Sequence, residues 1–334
     1  MELSKKQRRW VGPVIALSAA ASVTTLPVAA HAAPAGAASA AAVRAAVVGP
    51  AQLDLPDGFR PEGITSIPGG TDYFAGSMVD GRIWKGSLAT GQGSVVTPGA
   101  TGRALRGMVY DPRSRFVWTV GTHESGGGII LAVNSRTGGV VHNYRVADAQ
   151  FLNDLTLAPT GLWVTDSRVE RLLNIPLGSS GLPTGTGYTT TPLTGAWPVT
   201  GNTRANGIRA LVDGSLLLDH SGAGGLYRVN PATGVATVVP ISGGTLTGGD
   251  GIELAGNIAY VVRGNGTAVT VLKLGYGAGL ALTAHWQGVI SDPAFDVPST
   301  TTRNGKYIYS INARFGVANP GAADYWVTRT PAKL

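Results

Sequence analysis

One phrase returns along this chain and limits what it can fold into: a polar residue, a small residue, a short apolar strand, a turn, then a second strand. The clearest copies open at Glu62-Gly63-Ile64, Asn153-Asp154-Leu155, Asn206-Gly207-Ile208 and Asp250-Gly251-Ile252. Turn residues follow each opening, as in Pro68-Gly69-Gly70 and Val212-Asp213-Gly214. A run such as Leu162-Trp163-Val164-Thr165-Asp166-Ser167 or Leu216-Leu217-Leu218-Asp219-His220 comes next. Arg106-Gly107-Met108 opens a further copy, and the steps between the equivalent apolar residues Ile64, Met108, Leu155, Ile208 and Ile252 are 44, 47, 53 and 44. A period of about 40–50 residues with several short strands per unit is the mark of a β-propeller. A β-sandwich accounts for short strands equally well, but not for their common phase.

The expected fold is therefore all-β: a six-bladed β-propeller of four-stranded blades over residues 49–334. The first unit runs from Glu62 to about Pro98, and the second opens at Arg106. The third opens at Asn153 and is followed by a Gly/Thr/Pro-rich insertion over about 178–201; the fourth and fifth open at Asn206 and Asp250. The sixth lacks a clean opening and shows only three strands, so the strand around Leu53-Asp54-Leu55 is expected to supply its fourth and close the ring. Closure removes the unpaired sheet edges that invite aggregation.

The first residues have the form of an export signal. Lys5, Lys6, Arg8 and Arg9 precede an apolar run from Val11 to Val23, and Ala30-His31-Ala32 is a small-residue cleavage site. Residues 1–32 are read as a signal peptide cleaved near Ala32, and the Ala/Gly-rich residues 33–48 as a leader or linker, which predicts a secreted or extracytoplasmic protein with no membrane span after processing. The chain has no cysteine, so a fold exported to an oxidising compartment must rest on burial alone. The formal charge of +7 includes the signal; without Lys5, Lys6, Arg8, Arg9 and Glu2 there remain 22 basic and 18 acidic residues. The arginines are scattered, with no basic block, and nucleic-acid binding is not expected.

In a propeller the innermost strand of every blade runs the same way along a central channel, so residues just before it converge at one mouth. Glu62, Asn153, Asn206 and Asp250 share that phase. Asn-Gly and Asp-Gly are also common turn dipeptides, and any one of these positions is compatible with a turn. Four at one phase predict a site. Two carboxylates and two amide oxygens form a hard oxygen cage, suited to one divalent metal of the Ca²⁺ type rather than Zn²⁺.

The motifs Pro61-Glu62-Gly63, Phe151-Leu152-Asn153-Asp154, Ala205-Asn206-Gly207 and Gly249-Asp250-Gly251 resemble those of the senescence-marker protein, gluconolactonase and luciferin-regenerating-enzyme family of six-bladed propellers. The resemblance implies that Glu62, Asn206 and Asp250 hold a metal and that Asn153 contacts metal or substrate. It also implies hydrolysis of a lactone, ester or phosphotriester by a monomer acting on a small molecule. Some sugar-lactonase members have arginine where this chain has Phe151, which favours a more apolar lactone or ester. Asp250 is the first candidate for general base.

His123 is a second catalytic candidate, and His220, Arg263 and Asn312 are candidate substrate contacts, because all four fall at or beside second-strand ends. His123 and His142 are spaced similarly to the paired histidines of paraoxonase-like propeller lactonases. Ser125 and Ser221 lack the setting of a nucleophile elbow, and Gly126-Gly127-Gly128 lacks that of a phosphate loop. Two other functions remain open: a non-catalytic ligand-binding propeller with a structural metal, and a strictosidine-synthase-like enzyme.

Overall fold

The computed structural model describes residues 49–334 apart from 278 and 280, so the expected signal peptide and leader lie outside the described residues. The described chain forms six sheets, each built on four antiparallel strands that follow one another outward from the centre, two of them with a short parallel strand added at the outer edge. The innermost strands are Pro61–Ser66, Ala104–Asp111, Leu152–Ala158, Ala205–Ala210, Ile252–Ala255 and Pro298–Asn304. Each is adjacent to the innermost strand of the next blade, and the sixth returns to the first. The molecule is a closed six-bladed β-propeller.

Blade six is completed from the other end of the sequence. Its strand order places Gln52–Leu55 outside Tyr325–Pro331, Tyr307–Asn312 and Pro298–Asn304. Gln52 faces Thr328 and Leu55 faces Tyr325 across an antiparallel ladder. Leu53 and Leu55 alternate with exposed Gln52 and Asp54, as a half-buried strand requires, and they pack with Tyr325 and Val327.

Apolar side chains collect between blades rather than within any one of them. Trp118, Val120 and Ile130 of blade two meet Leu155, Leu162 and Val164 of blade three. Trp163 and Leu172 of blade three meet Ile208, Leu216 and Tyr227 of blade four. The remaining four cores also lie between neighbouring blades, so each blade is stable only between two others.

The segment read as an insertion is structured. Thr189–Pro192 is the outermost strand of blade three, pairing with Arg171–Ile175. Thr194–Gly195 then adds in parallel to Val235–Val239 of blade four, and Trp197 is buried against Tyr227 and His220. Its Gly, Thr and Pro content obscures the strand because the side chains of this four-residue outer strand are mostly exposed and show no apolar alternation.

Candidate cation site in the channel

Every innermost strand begins with the same irregularity. The register shifts between Pro61 and Ile64, Leu105 and Met108, Leu152 and Leu155, Ala205 and Ile208, and Pro298 and Thr300. In blade five, Asp250 N donates to Val262 O while Val262 N donates to Gly251 O, the same two-against-one arrangement. These are β-bulges, which re-aim a side chain out of the regular alternation. The first bulge residue is Glu62, Arg106, Asn153, Asn206, Asp250 or Ser299 around the ring.

The glycine after three of the four sequence-selected positions is therefore not turn chemistry. Neither Gly63 nor Gly207 adopts a left-handed φ. A Cβ on Gly63 would stand 2.0 Å from Arg106 O, and one on Gly207 would stand 2.4 Å from Asp250 O. Glycine is needed because the neighbouring inner strand passes against its backbone, drawing the channel narrow enough for side chains to meet across it.

Glu62, Asn153, Asn206 and Asp250 line one cavity of about 250 Å³, together with Ser221 and Asn265. Phe151, Val297 and Phe315 give the same cavity an apolar side. A larger groove of about 580 Å³ beside Asp213 and Arg228 lies on the outer part of blade four, where Arg228 is already paired with Asp213 at 2.6 Å.

Burial dominates the electrostatics. It raises Glu62 well above the usual carboxylate range; the Asp250 carboxylate raises it further and Arg106 opposes. Asp250 is pushed up to about 7 by burial, with Asp154 adding to the shift and a hydrogen bond from the Asn206 side chain opposing it. Asp219, fully buried behind Gly249, is also raised well above its usual range by burial and then by Asp250. Its Oδ1 accepts from Gly207 N at 2.9 Å, whereas Oδ2 has no partner among the described residues. Near the site, Arg209 donates to Asp154 at 2.9 Å and lies 3.6 Å from Glu253. Carboxylates thus outnumber guanidinium groups around the channel, and the surplus lies where water does not screen it.

The two asparagines are held from behind. Asn153 Nδ2 donates to Ser167 Oγ at 2.9 Å, and Ser167 Oγ donates to Ala205 O at 2.6 Å. Asn206 Nδ2 donates to Ser221 Oγ at 2.9 Å, and Ser221 Oγ donates to Gly249 O at 2.7 Å. Among the described residues no three His, Cys, Asp or Glu side chains group as a metal site; the four-oxygen set here combines two carboxylates with two amides.

The remaining expected site residues are elsewhere. His220 is fully buried; Ala223 N donates to its Nδ1 at 2.9 Å, so Nε2 carries the proton and donates to Pro198 O at 3.0 Å. Burial lowers its pKa. Asn312, also fully buried, accepts from Asp296 N at 2.8 Å and donates to Thr328 Oγ1 at 2.9 Å. Arg263 directs its guanidinium over the Trp286 ring at 5.7 Å. His123 accepts from Ser125 N at 3.0 Å in the loop beyond Phe116–Thr122. His142 lies on the outermost strand of blade two, stacked 6.2 Å from Trp118, so it does not form a site with His123.

His220 and Asn312 miss the channel for one reason. His220 faces Ala205 and Asn312 faces Pro298, the residues before the bulge, so their side chains take the opposite phase from the channel. Second strands do end at the channel mouth, but the residue that turns inward is the next one, Ser167 or Ser221. Sequence reading also passed over Arg106, which holds the blade-two ring position. It stacks 4.0 Å from the Phe151 ring and donates to Thr122 Oγ1 at 3.1 Å and Leu152 O at 3.3 Å. Its place before Gly107-Met108 was visible, but its charge did not fit an oxygen cage.

No family model matches the chain, and no curated protein matches it. Among solved structures it is similar to the major allergen Mala s 1 of Malassezia sympodialis, with 15% identity over 85% of this chain and 98% of that one and a TM-score of 0.66. The PQQ-bound aldose sugar dehydrogenase of Streptomyces coelicolor is 14% identical over 85% and 96%, with a TM-score of 0.52. Virginiamycin B lyase from Staphylococcus aureus is 14% identical over 83% and 98%, with a TM-score of 0.50. At these identities the likeness is one of fold: the chain shares its architecture with these proteins, two of which carry the names of enzymes.

Proposed function

We propose that this protein is an exported hydrolase of lactones or related esters that depends on a divalent cation, Ca²⁺ by the hardness of its donors, held in the channel. The observation that carries this reading is the convergence of Glu62, Asn153, Asn206 and Asp250 on one cavity from four blades. The donor set fits such an ion. Burial raises both carboxylates, with the Asp250 charge adding at Glu62 and the Asp154 charge adding at Asp250, a cost that a cation relieves. Its amides have Nδ2 engaged as donor, Asn153 to Ser167 and Asn206 to both Ser221 and the Asp250 carboxylate, which leaves each Oδ1 as the end without a hydrogen bond among the described residues. Oxygen ligands of this kind suit Ca²⁺.

Glu62, Asn153, Asn206 and Asp250 would hold the cation. When bound, it supplies Lewis acidity toward a substrate carbonyl and toward water. Asp250, at about 7, gains and loses a proton near neutral pH and is the residue suited to take one from water. Phe151, Val297 and Phe315 line the cavity with apolar surface, which suits the hydrocarbon part of a lactone or ester better than a polyol.

A second reading, ligand binding without turnover, has one observation in its favour: His123, His220 and Arg263 do not line the cavity, so Asp250 stands without a partner acid among them. Calcium titration of the purified protein with a panel of lactones and esters separates the readings. Hydrolysis that is lost on chelation, regained with Ca²⁺ and abolished in Asp250→Asn is the expected result. Tight Ca²⁺ binding with a blank panel leaves the binding reading, and unchanged turnover in Asp250→Asn removes that residue from the mechanism.

A further inference from the structure

The second strand of each blade ends beside its bulge, and the residue at or just past its end occupies one equivalent position around the ring. Its backbone N–H donates to the carbonyl two residues before the ring position: Met78 to Arg60, Ser167 to Phe151, Ser221 to Arg204 and Ala313 to Val297. Thr122, paired with Ala104, and Gly264 hold the same place in blades two and five. The six residues are thus Met78, Thr122, Ser167, Ser221, Gly264 and Ala313.

Hydroxyls are found at three of these positions, in blades two, three and four, where the ring residues are Arg106, Asn153 and Asn206. In each of these blades the ring residue donates to the hydroxyl, at 3.1, 2.9 and 2.9 Å. In the blades of Glu62 and Asp250 the equivalent positions are Met78 and Gly264, which carry no hydroxyl. The division follows from chemistry. A carboxylate offers an oxygen whichever way it rotates about its last bond, but an amide offers either an acceptor or a donor. An asparagine meant to present oxygen must be held the right way round.

The hydrogen-bond chain fixes which way that is. Backbone carbonyls of Ala205 and Gly249 only accept, so Ser167 and Ser221 must spend their single protons on them, at 2.6 and 2.7 Å. Each serine oxygen is then an acceptor toward the asparagine and takes Nδ2–H, not Oδ1. The carbonyl in each case belongs to the residue before the next blade's ring position. Arg106 reaches the corresponding carbonyl, Leu152 O, directly. Amide orientation in one blade is therefore keyed to the backbone of the next.

We infer that Ser167 and Ser221 are positioning residues of the channel site, locking Asn153 and Asn206 with their amide oxygens toward a cation. This rests on the cation-binding reading above. Removing a hydroxyl frees the amide to turn and present N–H to the ion, and loss of such a supporting partner typically costs about 10–100-fold in metal affinity.

The test is calcium titration by calorimetry on the folded full chain, for the unaltered protein, Ser167→Ala, Ser221→Ala and Ser221→Thr, with thermal melting of each as a control. The expected result is a loss of about tenfold or more in Ca²⁺ affinity for each alanine variant. Near-normal affinity is expected for Ser221→Thr, which keeps the hydroxyl in the form that blade two already uses at Thr122. A merely structural role would lower melting temperature and leave the affinity of the folded protein alone. If the unaltered protein binds Ca²⁺ and the alanine variants bind within about threefold of it, the positioning role is overturned and the cation site stands. If Ser221→Thr loses as much as Ser221→Ala, the hydroxyl is not what matters and the inference falls. If the unaltered protein binds no divalent cation, the site reading fails and the positioning role with it.

Discussion

Glu62 is buried, Asp250 is half-buried, and both line the same cavity, so their proton uptake is tied to the state of the channel. Asp250 is raised to about 7, above the value of about 3.9 for an aspartate in an unfolded chain. A carboxyl raised in this sense favours the fold below its unfolded value, and that contribution is lost as pH rises through about 7. The cation-free protein is therefore expected to melt at lower temperature at about pH 8 than at about pH 5, with added Ca²⁺ reversing the loss at the higher pH. Ca²⁺ affinity itself should weaken on acidification below about 7, since proton and ion compete for one carboxylate. A melting temperature and an affinity that are both flat with pH would show that Asp250 is not held as described. At this scale the sequence was informative wherever a residue's chemistry matched its phase: Glu62, Asn153, Asn206 and Asp250 meet. It misled where topology was followed without register. His220 and Asn312 end strands at the correct mouth, but they face the wrong way by one residue.

At the scale of the element, a repeated bulge and not a turn places the ring residues. A bulge keeps the strand within its sheet while directing one side chain into the channel, and glycine after it lets the next inner strand approach. Gly207→Ala would put a methyl group 2.4 Å from Asp250 O, an overlap that backbone cannot yield to cheaply. The expected cost is about 1–3 kcal/mol in chemical denaturation, with Ca²⁺ affinity falling because the displaced backbone carries a site residue. Gly214→Ala is the control: it lies in an open turn with nothing within 4 Å of its added methyl, but its left-handed φ of 82° costs strain without touching the channel, so Ca²⁺ affinity should hold. Sequence alone does not distinguish the two glycines, because Asn-Gly and Asp-Gly serve both geometries. Outer strands were the other obscure elements. Thr189–Pro192 lacks apolar alternation because little of it is buried.

For the whole molecule, stability is shared around a ring whose cores lie between blades, and the join between blades six and one is no exception. Leu53, fully buried among Tyr325, Val327 and Phe59, holds the outermost strand of blade six in place. Leu53→Ala is expected to destabilise the protein by about 2–5 kcal/mol, as measured by denaturant unfolding. Its unfolding should stay cooperative, because each blade leans on its neighbours. A separate early transition would mean that the blade-six join opens on its own. This closure was legible in the sequence because the last unit was one strand short and an orphan alternating strand stood at the beginning. The six-fold count followed from the period, which survives even where individual side chains depart from the pattern, as Arg106 and Ser299 do.

The clasp between Gln52–Leu55 and Tyr325–Pro331 also sets an order of events during synthesis. The first strand described is made early and has no place to dock until nearly the last one emerges from the ribosome. Every donor that lines the cavity is already translated by then, yet the circle that brings blade one beside blade six is still open. Closure of the channel is thus a late event, and a chain stalled before residue 325 would hold all four ring side chains without the geometry that brings them together.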